Sequence, residues 1–173
     1  MRNVQSTTTV PIVIRQASMA DRDKCAAVER RCFPPAEAAD PGSISRRIRV
    51  FPQGFLVALQ GDRIVGMVNS AATHKQDICD EAFKKMVGHD PDGGNMVIFS
   101  LAVLPECRRM GIARQLLTTF RQQSQAMQKS RILLICKSDL IDFYTKCGFR
   151  YGGVSASTHG GAQWHEMILS VGG

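Results

Sequence analysis

Between Met96 and Lys129 an apolar run, a sharp turn and a long amphipathic helix follow one another, with two arginines at the joint, and this order leaves the stretch little choice of fold. Met96 to Leu104 is apolar and β-prone, and Pro105, which has no N–H to donate, ends it. Leu116, Leu117, Phe120, Ser124 and Met127 then fall on one face of the helix that Gly111 opens. A helix N-terminus leaves about four amide donors unpaired, and its dipole favours an anion by roughly 0.3–1 kcal/mol. Arg108 and Arg109 add charge, Gly111 lacks the β-carbon that would hold a ligand off the backbone, and Ala113 is small. The stretch predicts an anion cradle at the end of a strand.

Composition narrows the setting. With 173 residues, 44% of them hydrophobic and 21% charged, the chain suits one soluble domain, expected over residues 11–173 behind a disordered tail at residues 1–10. Met1 to Val10 is polar and Thr-rich, unlike a secretory leader, and no run approaches the roughly 18 apolar residues of a membrane span. The six cysteines (25, 32, 79, 107, 136 and 147) form no C-x-x-C pair, which predicts free thiols in a cytoplasmic protein and no metal. A net charge of +7 fits either an anionic small ligand or a solvated basic surface. Nucleic acid is disfavoured, because two Tyr and one Trp supply no interleaved aromatics and no binding motif is present.

In chain order, Pro11 to Ala17 reads as a strand, and Ser18 to Asp21 as a capping-box start for a helix reaching Cys32. Phe33 to Gly42 is a loop over one mouth of the domain, followed by a helix from Ser43 to Val50. Gly54 to Gln60 and Arg63 to Ser70 flank Gly61-Asp62 as a hairpin. Ala71 to Asn95 is an excursion from the sheet with a short helix at Asp80 to Val87. Arg131 to Cys136 is an apolar strand, a helix ends at Gly148, and strands follow at Arg150 to Ser157 and Ala162 to Val171. The alternation gives an α/β (α+β) domain with a mixed sheet covered by helices.

Arg108-x-x-Gly111-x-Ala113, after a strand ending in Val103-x-Pro105, resembles the Arg/Gln-x-x-Gly-x-Gly/Ala signature of the GNAT superfamily of N-acetyltransferases. Phe143-Tyr144, followed by Gly148-Phe149, resembles the superfamily's second hallmark, a Tyr before a Gly-Phe ending. Cys32 to Ala39, Phe55 to Ala58, Cys136 to Tyr144, and Ser157 to Gly161 before Trp164 are most similar to microbial arylalkylamine (serotonin-type) and polyamine N-acetyltransferases. The resemblance implies a twisted, mostly antiparallel sheet of about seven strands, acetyl-CoA as donor and a primary amine as acceptor. It implies that Leu101, Ala102 and Val103 hold the pantetheine and acetyl group. Arg108, Arg109, Met110, Gly111, Ile112, Ala113 and Arg114 would wrap the pyrophosphate, with Lys137, Phe143 and Tyr144 completing the cofactor site. Tyr144 is the expected general acid, and Phe33, Pro34, Leu101 and Ile135 the acceptor wall.

The proton on the amine has no assigned route. An alkylammonium with a pKa of about 10.4 costs roughly 4.6 kcal/mol to neutralise at pH 7. Two strand histidines serve in the animal arylalkylamine enzymes, and the matching positions here are Val97 and Phe99. His159 is the first candidate, beside His165 and the acids Glu29, Glu37 and Glu166, while His74 and His89 lie in the excursion. No cysteine stands in a Cys/His nucleophile pattern, so direct attack in a ternary complex is expected from a monomer or homodimer. The alternatives are acetylation of a protein N-terminus or lysine, and a non-catalytic acyl-CoA sensor.

Overall fold

The computed structural model describes residues 10–172, so the expected tail lies outside the described residues except at Val10. Among the described residues seven strands form one sheet: β1 (Ile12–Gln16), β2 (Phe55–Gln60), β3 (Arg63–Thr73), β4 (Asn95–Val103), β5 (Arg131–Cys136), β6 (Arg150–Val154) and β7 (His165–Ser170). Their order across the sheet is β1-β2-β3-β4-β5-β7-β6, and only the β4–β5 pair is parallel. Four α-helices cover it: α1 (Arg22–Cys32), α2 (Pro41–Val50), α3 (Ile112–Ala126) and α4 (Ile141–Lys146). The mixed, mostly antiparallel sheet is the one expected.

Side-chain alternation on β3 assigns the faces. Asn69 meets Arg47 of α2, whereas Gly66, on the opposite parity, lies against α3. A β-carbon at Gly66 would come within 2.9 Å of the Ala102 carbonyl and 3.3 Å of Leu116, so glycine lets α3 settle on the sheet. Leu116, Leu117 and Phe120 are buried there, as the helical stripe requires.

Several boundaries differ from the sequence expectation, each for a local reason. α2 starts at Pro41, two residues early, because the Asp40 side chain accepts from the Ser43 amide at 2.7 Å and proline suits the first helical turn. β3 runs on to Thr73, since a register shift between Asn69 and Ser70 leaves Phe99 of β4 as a bulge, after which pairing resumes as far as Thr73 and Asn95. The expected helix at Asp80 to Val87 is only a 3₁₀ turn, Glu81–Lys85. β6 and β7 stop short of the expected ends, leaving a long loop whose base is closed by Ser155 N–H donating to the Trp164 carbonyl.

The excursion after β3 is pinned rather than loose. The Ala72 N–H donates to Nδ1 of His89 at 3.0 Å, and Asp90 N–H returns to the Ala72 carbonyl. Buried Lys129, beyond α3, donates to the carbonyls of Pro91 and Gly93. His89 is thus an acceptor that ends a strand, and burial pulls its pKa below the ordinary histidine value.

Candidate active site

β4 and β5 pair only at Asn95–Arg131, Met96–Ile132 and Val97–Leu133, then part. The remainder of β4, Ile98 to Val103, has an open edge on that side, while β7 follows β5 to its end. On the other side Leu104 N–H donates to the Val65 carbonyl. Antiparallel alternation therefore turns the backbone groups of Leu101 and Val103 towards the open edge. The Val103 carbonyl shows this directly, because it accepts from Arg108 Nε at 3.1 Å and from Cys32 Sγ at 3.4 Å.

The cradle begins where that edge ends. Arg109 (φ +65°) and Gly111 (φ +78°) are both left-handed, which folds the loop back so that α3 starts with its amides facing out. A β-carbon on Gly111 would meet no atom within 4 Å, so glycine is needed there for its conformation and not for space. Buried Ile112 anchors the first turn, whereas Arg108, Arg109, Met110 and Arg114 are exposed. The expected cofactor residues of β4 and of the α3 start are therefore brought together. Strand-edge peptides, of which the Val103 carbonyl is already engaged, run into free helix amides and three arginines, an arrangement that fits an extended, amide-bearing arm ending in a pyrophosphate.

Tyr144, on α4, is 6% exposed and packs edge-on between Phe143 and Phe149, with ring centroids 5.1 and 5.5 Å away. Burial pushes the phenol pKa up, and Cys136 and Cys147 add to the effect. The hydroxyl therefore stays protonated through the physiological range.

The other candidates divide between two places. His159, on the β6–β7 loop, puts Nδ1 3.0 Å from Glu81 Oε2 and Nε2 2.9 Å from the Glu37 carbonyl, while Trp164 Nε1 donates to the His159 carbonyl at 2.8 Å. Lys137 is engaged at the same place. It forms an ion pair with Glu37 at 2.5 Å and lies 5.8 Å over the Trp164 ring. Three segments, the α1–α2 loop, the excursion and the β6–β7 loop, are thereby tied together. Phe33 and Pro34 begin the first of them, and Phe33, Leu101 and Ile135 are half-buried against the core. His165 instead bonds the Tyr151 hydroxyl at 2.8 Å at the β6 edge, and Glu166 lines a small cavity of about 140 Å³ with Arg131 and Arg150.

Beneath these ties lie two buried charges on the α1–α2 face of β4. Glu29 accepts from the Ser100 hydroxyl at 3.1 Å and from Ala39 N–H at 3.0 Å. Arg47 donates to Asn69 Oδ1 at 3.0 Å and to the Lys84 carbonyl, and its guanidinium is 4.7 Å from the Phe99 ring centre. Burial holds the Arg47 pKa down to about 10. Sequence reasoning missed Arg47, Ser100 and Glu81. For Arg47 a signal existed, since Ile44-x-x-Arg47-Ile48 sets a cation inside a core-facing stripe.

A profile described as the acetyltransferase (GNAT) family matches residues 22–149. The chain belongs to that family. Among curated relatives it is 23% identical over 133 residues to the uncharacterized N-acetyltransferase YkwB of Bacillus subtilis, covering 70% of this chain and 59% of that protein. A second curated relative is matched over only 25% of its length. The chain thus spans less than two thirds of either.

Solved GNAT structures share the fold. The loading GNATL domain of CurA from Lyngbya majuscula superposes with a TM-score of 0.82 at 17% identity, covering 93% of this chain and 98% of that one. The GphF GNAT-like decarboxylase, solved in complex with isobutyryl-CoA, gives 0.81 at 20% identity, covering 92% and 99%. Among the described residues no helix is long and apolar enough to cross a membrane.

Proposed function

We propose that this GNAT chain transfers an acetyl group from acetyl-CoA to a small primary amine, an arylalkylamine or a polyamine, in a ternary complex. The observation that carries the donor half is the open β4 edge leading into the N-terminus of α3. Leu101 and Val103 are the peptides that pair with the pantetheine arm, and Arg108 to Arg114 take the pyrophosphate. Tyr144 is the general acid: a phenol kept protonated by burial donates to the departing thiolate, whose ordinary pKa is about 8.5.

The acceptor half rests on the tied loops. Closure by His159, Glu81, Glu37 and Lys137 suits a compact acceptor better than a peptide threading an open groove. Glu37 and Glu81 place carboxylates among these ties, Glu37 paired with Lys137 and Glu81 with Lys84 and His159. We assign His159 to holding the loops, because both of its ring nitrogens already face acceptors. The free thiols suit a cytoplasmic protein.

The test is thiol release from acetyl-CoA with tryptamine, spermidine and short peptides as acceptors. Turnover with one of the amines supports the reading, and turnover confined to peptides overturns the acceptor class. Binding of acetyl-CoA without any thiol release would leave a sensor.

A further inference from the structure

Lys137 fills a seat whose chemistry suits an alkylammonium. The Glu37 side chain is 8% exposed, and its Oε1 lies 2.5 Å from Lys137 Nζ, the one cation within ion-pair distance of it among the described residues. Trp164 bounds the seat on another side, with its ring centre 5.8 Å from the same nitrogen and its Nε1 held by the His159 carbonyl. A carboxylate largely shut away from water beside an indole face is a strong partner for an ammonium group. Gly160 lets the β6–β7 loop come down on Glu37, since a β-carbon there would stand 2.6 Å from Glu37 Cγ and 3.1 Å from the Ala36 carbonyl. Three separate segments thus build the seat, and the chain's own lysine occupies it.

Sheet register puts this lysine beside the open edge of β4. Counting on from the Val97–Leu133 pair, Lys137 stands level with Leu101, across the gap where β4 and β5 part. Its backbone is still extended (φ −73°, ψ 158°), so strand alternation turns its side chain to the face of Ile135, and its carbonyl is pinned by the Leu140 amide at 3.0 Å. The Lys137 side chain keeps 41% of its surface exposed, so its charge is felt in the gap.

We propose, resting on the acetyl-transfer reading above, that Lys137 determines specificity by barring a second cation from the acceptor site, which selects arylalkylamines over polyamines. A polyamine held by one nitrogen for acetylation brings another ammonium to this end of the sheet. There Lys137 already holds the Glu37 carboxylate and repels it. Tryptamine brings no second charge, so a built-in repulsion separates the two classes without any contact to the favoured one. Removing the lysine reverses the preference, because a nearly buried carboxylate left unpaired is costly and a second ammonium relieves it.

The experiment measures kcat and KM for tryptamine and spermidine with the wild type, Lys137→Arg, Lys137→Met and the double variant Lys137→Met/Glu37→Gln. The wild type is expected to favour tryptamine about tenfold or more in kcat/KM. Lys137→Met should lower KM for spermidine about tenfold without lowering KM for tryptamine, and the added Glu37→Gln should cancel that gain. Lys137→Arg, which keeps the charge, should keep the wild-type preference. With CoA present, spermidine should raise the melting temperature of Lys137→Met and not that of the wild type. A merely structural lysine would give a variant impaired with both amines and improved with neither. A wild type that prefers spermidine, or a Lys137→Met protein without a gain for spermidine, overturns the proposal. If Lys137→Met does not fold, the wild-type preference decides: tryptamine favoured supports the proposal, and equal or reversed preference overturns it. Transfer to neither amine by the wild type overturns the acceptor reading and this proposal together, whereas transfer to tryptamine with no gain for spermidine in Lys137→Met overturns this proposal alone.

Discussion

Nδ1 of His159 lies 3.0 Å from Oε2 of Glu81, while the opposite ring nitrogen lies 2.9 Å from the carbonyl of Glu37. Both partners are acceptors, so only the doubly protonated ring satisfies both bonds. The tie joins two loops and the excursion at the acceptor end. Glu81 is largely exposed, so the tie is worth roughly 1 kcal/mol. Glu81→Gln and His159→Ala should therefore speed amide exchange over residues 155–164 about five-fold. They should raise KM for the amine while leaving KM for acetyl-CoA alone. Unchanged exchange in both variants would contradict the tie.

Tyr144→Phe removes a hydroxyl and keeps the ring that packs between Phe143 and Phe149. Turnover should fall about 10²–10⁴-fold if this phenol protonates the thiolate. The melting temperature and acetyl-CoA affinity should barely move. Equal turnover in the variant would remove Tyr144 from the chemistry.

Gly111→Ala places a β-carbon on a residue at φ +78°, where open space leaves only conformational strain, roughly 1–2 kcal/mol. If that strain distorts the cradle, acetyl-CoA affinity should drop about 5–30-fold by calorimetry. Gly111→Asn should lose less, since asparagine tolerates the left-handed region. Wild-type affinity in Gly111→Ala would contradict the role given to this turn.

Asp21 is nearly buried and its pKa is lowered to about 2, chiefly by the hydrogen bond from Arg15, with the Ser18 amide assisting against the cost of burial. A carboxylate depressed from 3.8 contributes stability above its unfolded value and loses it as pH falls towards about 2. Asp21→Asn should cost about 2 kcal/mol in urea unfolding at pH 7 and much less at pH 2. An equal loss at both pH values would point to packing instead of charge.

Much of the architecture was readable where the chain speaks through local pattern. Gly61-Asp62 marked the hairpin, the stripe from Leu116 to Ser124 marked α3, and Arg108 to Ala113 marked the cradle, because turn chemistry and periodicity are properties of neighbouring residues. The parting of β4 from β5 was not readable, since it depends on register between distant strands. The Phe99 bulge was hidden for a related reason: Phe99 looks like any apolar strand residue beside Ile98. Likewise Lys137 follows an apolar strand and precedes Tyr144, which suggested the cofactor, yet its ammonium turns to Glu37 on another loop. Glu29 was visible only as one acid among several; that its Oε2 lacks a partner among the described residues is a property of packing.

The central claim is that the open β4 edge and the α3 start receive acetyl-CoA for transfer to a small amine. Its most direct test is mass spectrometry of tryptamine and spermidine incubated with acetyl-CoA and the protein, alongside thiol release and an Arg109→Ala/Arg114→Ala control. The account predicts an N-acetylated amine matched mole for mole by free CoA, with the double variant needing much more acetyl-CoA to reach the same rate. Thiol release without an acetylated amine, or transfer indifferent to both arginines, would contradict it.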